Sequence, residues 1–341
     1  MAQVDGDLSS ESAKPIWSHP GTIATLCGIL SAIGYTATNI CLKHVDHADP
    51  IWVSCMKALP TVVLAGPFVL AKAMRGKKLF PSNRVFAIVI AVAIFSQFGG
   101  NVLFQWALHV IGLALDVPIT LGVMIVSGAL FGRMFLGDPI SPRMAISAIV
   151  LIAATCVLSA GASKVHDDAV HASAELENVA APGSDAIPIS NWGFLLGVFA
   201  AATSGVAYCS LSTVVRYATR EGFDNLSLVG LICLVGVVTL GASAFSRHGL
   251  EIVFHTTTRD YTAMLLAGVF NYIAFVSLAK ALEFATVFFV NALSTCQVVM
   301  AAVAGIVLFG EPATVELLIG IALIGIGLLS MRPASRKGRT T

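Results

Sequence analysis

Leu136-Gly137-Asp138-Pro139 and Phe309-Gly310-Glu311-Pro312 decide the fold, because each closes one long apolar run and opens another, and they lie 173 positions apart. Sliding the chain along itself by that spacing, without a gap, also pairs Ser31 with Ser204, Tyr35 with Tyr208, Lys43 with Arg216 and Gly132 with Gly305. The register holds from the start of each half to its end. The chain is a duplicated unit.

Composition places both copies in lipid. Of 341 residues, 57% are hydrophobic and 11% charged, against the roughly 25% charged residues of an ordinary soluble domain. Apolar runs of about 20 residues cross a hydrocarbon layer of about 30 Å. Such runs predict ten helices: 22–43, 50–72, 85–108, 112–135 and 142–161, then 192–215, 226–245, 261–281, 285–309 and 314–331. Five per half is an odd number, so the second half must enter the membrane from the opposite side. The expected fold is therefore all-α and integral to the membrane, with ten transmembrane helices in two inverted five-helix repeats.

Lys and Arg give the orientation, since they collect on the cytoplasmic side. With the N-terminus inside, fifteen of the twenty lie in inner segments, four (Lys43, Lys164, Arg247 and Arg259) lie outside, and Lys57 falls within a span. Both termini are expected in the cytoplasm of a protein of the inner or plasma membrane. The expected organisation is a cytoplasmic tail over 1–21, a first repeat over 22–161, a polar external linker over 162–190, a second repeat over 191–331 and a basic tail over 332–341. A net charge of +1 without a basic stripe excludes a nucleic-acid reader. The acidic polar start of the chain does not read as a cleaved signal.

The repeated segments Trp106–Ser159 and Leu278–Ser330 carry an apolar helix, a Gly-Asp-Pro or Gly-Glu-Pro turn and a last apolar helix ending in Leu-Ser. In this they resemble the EamA domains of the drug/metabolite transporter superfamily, with Asp138 standing where the family usually has glutamate. The resemblance covers nearly the whole chain outside the tails and the linker. It implies a permease that moves a small organic solute by alternating access through a central cavity between the repeats, with no enzymatic activity and no cofactor. A non-transporting scaffold or sensor of the same fold is the alternative. The partners expected are the solute and the lipid bilayer, and a homodimer is compatible with the sequence.

Polar groups deep in a span must face protein or water, because each costs several kcal/mol against lipid. At a rise of about 1.5 Å per residue, Gln97 lies about 18 Å into the third helix and Asn271 about 15 Å into the eighth. Asn101 and Gln105 continue one face from Gln97 at spacings of four. Tyr35 and Tyr208 lie about 20 and 24 Å along the first and sixth helices. A serine precedes each tyrosine by four residues, giving two matched polar-aromatic stripes that either orient a solute or, for the serines, bond neighbouring helices. Lys57 is buried about 9 Å inside the second helix, where a lysine costs about 2.5–3.5 kcal/mol unless paired or hydrated. Asp116 lies at comparable depth. Lys57 is expected to pair with Asp116, bind an anionic group of the solute, or snorkel to the interface. The expected solute-binding set is therefore Tyr35, Lys57, Gln97, Asn101, Gln105, Asp116, Tyr208 and Asn271.

The remaining motifs carry less. Asp138 and Glu311 read as turn residues that cap the following helix or make a switching contact. Asn291 and Gln297 read as interhelical bonds. His44, Asp46, His47 and Asp49 read chiefly as a polar loop, and no metal is assigned to them. The seven cysteines lack paired metal spacing and read as small apolar residues; only Cys41 and Cys55 lie where a disulfide would fit.

Overall fold

Every element of the computed structural model is a helix or a turn, with no strand among the described residues, which are 19–76, 81–139, 141–154, 156–157, 191–300, 303 and 315–330. In chain order the helices are α1 (Pro20–Lys43), α2 (Pro50–Met74), α3 (Asn83–Ile111), α4 (Leu113–Leu136), α5 (Pro142–Ala154), α6 (Asn191–Arg220), α7 (Asn225–His248), α8 (Glu251–His255), α9 (Thr258–Phe284), α10 (Val287–Met300) and α11 (Val315–Ser330). Seven of them, α1–α4, α6, α7 and α9, are long and apolar enough to cross a membrane. The short apolar helices α5, α10 and α11 occupy the places of the other three expected spans. Residues 1–18 of the N-terminal tail, the C-terminal tail, the 162–190 linker and the Phe309–Pro312 turn lie outside the described residues.

Local chemistry sets the helix ends. Proline supplies the first residue of α1 and α2, where its missing N–H costs nothing. Asp49, Ser82, Asp224, Thr257 and Thr286 each accept a backbone N–H of the first turn that follows them. At the first copy of the repeated turn, Gly137 takes φ +66°, a left-handed conformation that a side chain would strain, and the Asp138 N–H donates to the Gly132 carbonyl at 2.9 Å. Asp138 does not cap α5, contrary to the cap expected of it. That task falls to Ser141, whose hydroxyl accepts the Met144 N–H at 3.2 Å.

The halves interlock in a reciprocal pattern. α1 of the first half packs along α9 of the second, α3 of the first packs along α6 of the second, and α2 packs on α7. Exchanging the halves turns the first contact into the second and returns the third to itself, as a pseudo-twofold arrangement requires. Small residues permit the approach: a methyl added at Gly34 would lie 2.8 Å from Ala274 Cβ, and one at Gly268 would lie 2.6 Å from the Lys57 carbonyl. The outer surface is apolar. Phe68, Met134, Phe135, Phe199 and Val238 all point away from the bundle and are 60% exposed or more, a belt that suits lipid and not water.

Two sets of contacts tie the halves at opposite ends of α4 and α6. Where these helices finish, the Asp138 carboxylate accepts from Arg216 at 2.6 Å and from Arg220 at 3.4 Å. Asp138 therefore reaches across to the second half. At the other end, the indole N–H of Trp52 donates to the Thr256 hydroxyl at 3.0 Å and its ring packs edge-on against Phe245 and Tyr261. His248 beside Asp49 at 3.3 Å and His47 beside Asp260 at 3.6 Å add to that contact. Within the His44–Asp49 loop, Asp49 thus serves as a helix cap and in one cross-link, His47 in the other, and His44 bonds the Ile40 carbonyl. All seven cysteines are free, so Cys41 and Cys55 form no disulfide here.

Candidate functional site

Between the two halves lies a cavity of about 1020 Å³, its open mouth included, bounded by α1–α4, α6, α7, α9 and α10. Six of the eight expected residues line it: Tyr35, Lys57, Gln97, Asn101, Tyr208 and Asn271. Gln105 and Asp116 do not. Both are buried: among the described residues the Gln105 amide nitrogen has no partner, and Asp116, just behind the cavity wall, accepts the hydroxyl of the lining residue Thr120 at 3.2 Å.

Residues Ser96–Val102 form a π-helical segment within α3, in which the Leu103 N–H donates to the Phe98 carbonyl. Gln97 and Asn101 lie within the segment and line the cavity, whereas Gln105 lies beyond it and does not. Gly99 and Gly100 are where a helix can widen without side-chain crowding. A methyl on Gly100 would stand 3.0 Å from the Tyr208 ring, so glycine there lets α6 bring its tyrosine against α3.

The polar wall so formed is one connected network. Lys57 Nζ donates to Asn101 Oδ1 at 2.8 Å, and the Tyr208 hydroxyl donates to the same oxygen at 3.1 Å. Asn101 Nδ2 donates to Gln97 Oε1 at 2.7 Å, and Gln97 Nε2 donates to the Ile232 carbonyl at 3.2 Å. Lys57 is 7% exposed and its partner is Asn101, so the Lys57–Asp116 pair is not formed in this conformation. The tight fit of Gln97 depends on Gly236, where a methyl would fall 2.7 Å from the carboxamide. Aromatic surface fills the gaps: Tyr35, Phe104, Tyr208 and Phe275 line the cavity, and the Phe104 and Tyr208 rings meet edge-on at 6.2 Å.

The serines of the two expected stripes separate from their tyrosines. Ser204 is fully buried and bonds Thr120 Oγ1 at 3.0 Å, and Ser31, also fully buried, has no hydrogen-bond partner among the described residues. Neither touches the cavity. The residues one turn in the other direction do, since Asn39 follows Tyr35 by four and Ser212 follows Tyr208 by four. The 173-residue register pairs Asn39 with Ser212 and Met124 with Gln297, so that spacing carried the signal for these lining residues. Asn291, read above as an interhelical bond, makes one to the Met124 carbonyl at 3.3 Å and also lines the cavity with Ser294 and Gln297.

Chemically, the site offers one ammonium, amide and hydroxyl groups, and aromatic and aliphatic surface. No carboxylate stands among the described lining residues. No three His, Cys, Asp or Glu side chains gather for a metal among the described residues. Such a site suits reversible binding of a small amphipathic molecule.

The model of the EamA-like transporter family matches residues 22–160 and 195–332, one copy for each half. Twenty-nine chains of solved structure resemble this one. One of them, a crystal structure, superposes over 90% of this chain and 95% of its own with a TM-score of 0.65 at 17% identity, a likeness of fold alone. No curated protein matches the sequence.

Proposed function

Because the chain belongs to the EamA-like transporter family, we propose that it carries a small organic solute across the cell membrane by alternating access through the cavity between its halves. In this reading the seven long and three short apolar helices are ten spans, arranged as inverted repeats over 22–161 and 191–331. The 162–190 linker faces outward and both tails lie in the cytoplasm, as the excess of Lys and Arg in the inner segments indicates. The protein performs no covalent chemistry.

One observation carries the proposal: the cavity lies between the repeats and takes an equivalent tyrosine from each, Tyr35 and Tyr208. A site shared by two bodies that pack reciprocally is reached from either side when one body rocks against the other. Tyr35, Lys57, Gln97, Asn101, Tyr208 and Asn271 are the proposed solute-binding residues. Gln105 and Asp116 are assigned to the packing around them. The Asp138–Arg216 contact and the Trp52 cluster tie the halves on either side of the cavity, and alternating access requires each to loosen in turn.

Uptake into proteoliposomes, measured over a panel of amino acids, organic acids, sugars and nucleosides, tests this directly. The proposal expects at least one solute to enter with saturable kinetics and to be slowed by Tyr208→Ala. Absence of saturable flux for every class would refute carriage and leave a non-transporting membrane scaffold.

A further inference from the structure

Taking the cavity as the solute site, as proposed above, we infer that the solute is an organic monoanion whose carboxylate binds between Lys57 of the first repeat and Tyr208 of the second. Two donors from different halves already converge on a single point. The Lys57 ammonium and the Tyr208 hydroxyl lie 2.8 and 3.1 Å from Asn101 Oδ1, a neutral amide oxygen. A carboxylate oxygen is the stronger acceptor for both, because a charge-assisted bond is shorter and stronger than one to a neutral amide. An ammonium has three donors, and Asn101 is the one hydrogen-bond partner of Lys57 among the described residues. Lys57 therefore keeps donors for a solute without giving up Asn101, whereas the single Tyr208 O–H turns from Asn101 Oδ1 to the carboxylate.

Charge balance narrows the class. Lys57 is nearly buried in a cavity with no carboxylate among its described lining residues, so its ammonium meets no countercharge on the described cavity wall. A monoanion neutralises it. A dianion such as a phosphate monoester leaves one negative charge buried without a partner, and a cation doubles the positive charge. The body of the solute meets Tyr35, Phe104, Phe275 and Leu278, which favours an apolar or aromatic skeleton. Because the carboxylate would bridge residues of both repeats, occupancy bears on the relative position of the two halves, which is what a carrier needs from its substrate.

The test compares three probes of one shape on the purified full-length protein: 3-phenylpropionate, 3-phenylpropionamide and 3-phenylpropylamine, each titrated against melting temperature. The expected result is stabilisation by the carboxylate, binding of the amide weaker by about ten- to a hundredfold, and no stabilisation by the amine. Lys57→Met should abolish the advantage of carboxylate over amide, and Lys57→Arg should keep part of it. Equal binding of amide and carboxylate by the wild type overturns the inference, with no variant needed. So does unchanged affinity of Lys57→Met for phenylpropionate, or no effect of phenylpropionate at about 10 mM. Flux separates this result from the carrier reading. Carboxylate binding without saturable uptake sustains the anion site and refutes carriage, whereas saturable uptake of neutral or cationic solutes that ignores Lys57→Met does the opposite.

Discussion

Substituting Asp138 by asparagine should be among the most costly single changes in the chain, although it alters one atom. The Asp138 and Arg216 side chains are 10% and 8% exposed and meet at 2.6 Å, whereas Arg220 is 42% exposed and stands 3.4 Å from the other carboxylate oxygen. Breaking a buried ion pair by neutralising one partner costs up to about 3–5 kcal/mol. Asp138→Asn removes the carboxylate that Arg216 and Arg220 share, so it weakens both contacts at once. The converse change, Arg216→Met, keeps the Asp138–Arg220 contact and should cost less. Arg220→Ala removes a largely solvated partner and should cost less than about 1 kcal/mol. The three costs thus rank Asp138→Asn, Arg216→Met, Arg220→Ala. Reversible unfolding in mixed detergent micelles, followed by circular dichroism, gives each value and that of the Asp138→Asn/Arg216→Met double variant. The double variant should be less destabilised than the sum of the singles by about 1–3 kcal/mol, since both singles remove the same Asp138–Arg216 contact. An additive cycle, or an Asp138→Asn cost below about 1 kcal/mol, would refute the buried tie between the halves.

Other outcomes follow from the same geometry. Gly236→Ala should push the Gln97 carboxamide off its place and raise the half-saturation concentration for uptake more than it lowers the melting temperature. Gly268→Ala meets the Lys57 carbonyl and the Pro60 ring, which cannot both retreat, and should cost about 1–3 kcal/mol in the micelle assay. Asp49→Ala should cost about 1 kcal/mol by removing the acceptor of the Ile51 and Trp52 amides. At Asp224, burial alone would raise the carboxyl, but the hydrogen bonds from Ser227 and the Lys72 charge outweigh it and hold the group below its ordinary value of 3.8. A lowered native value means that Asp224 contributes stability above about pH 4 and loses it as the pH falls through the lower native value. Asp224→Asn should flatten that acid limb of the melting curve.

The architecture was legible because lipid imposes length and polarity on every span, and a duplicated chain shows the same pattern twice. The expected starts of α2 at 50 and α5 at 142 are the starts in the structure, since Asp49-Pro50 and Ser141-Pro142 spell out cap and first turn. The family match to two stretches of the chain agrees with the duplication read from the 173-residue spacing. Positions on the cavity wall were legible where depth alone forced the reading, as for Lys57, Gln97 and Asn271. Gln105 does not line the cavity: each spacing of four overshoots a 3.6-residue turn by about 40°, so a second step from Gln97 strays further from a shared face than the first. Asp116 lies off the cavity wall, because depth says that a polar group avoids lipid without saying which interior it faces. Asp138 read as a cap or a switching contact with no partner named, because Arg216 and Arg220 lie 78 and 82 residues on and a turn motif carries no trace of so distant a contact.

Alternating access is most directly tested by a single cysteine at Asn271, a cavity residue on α9, in a variant whose seven native cysteines are replaced and which retains uptake. Rates of reaction with a membrane-impermeant thiosulfonate are measured in right-side-out and inside-out vesicles. The account predicts modification from both faces, slowed from both by a saturating transported solute. Modification from one face alone, whatever solute is present, would contradict a cavity that opens to each side in turn.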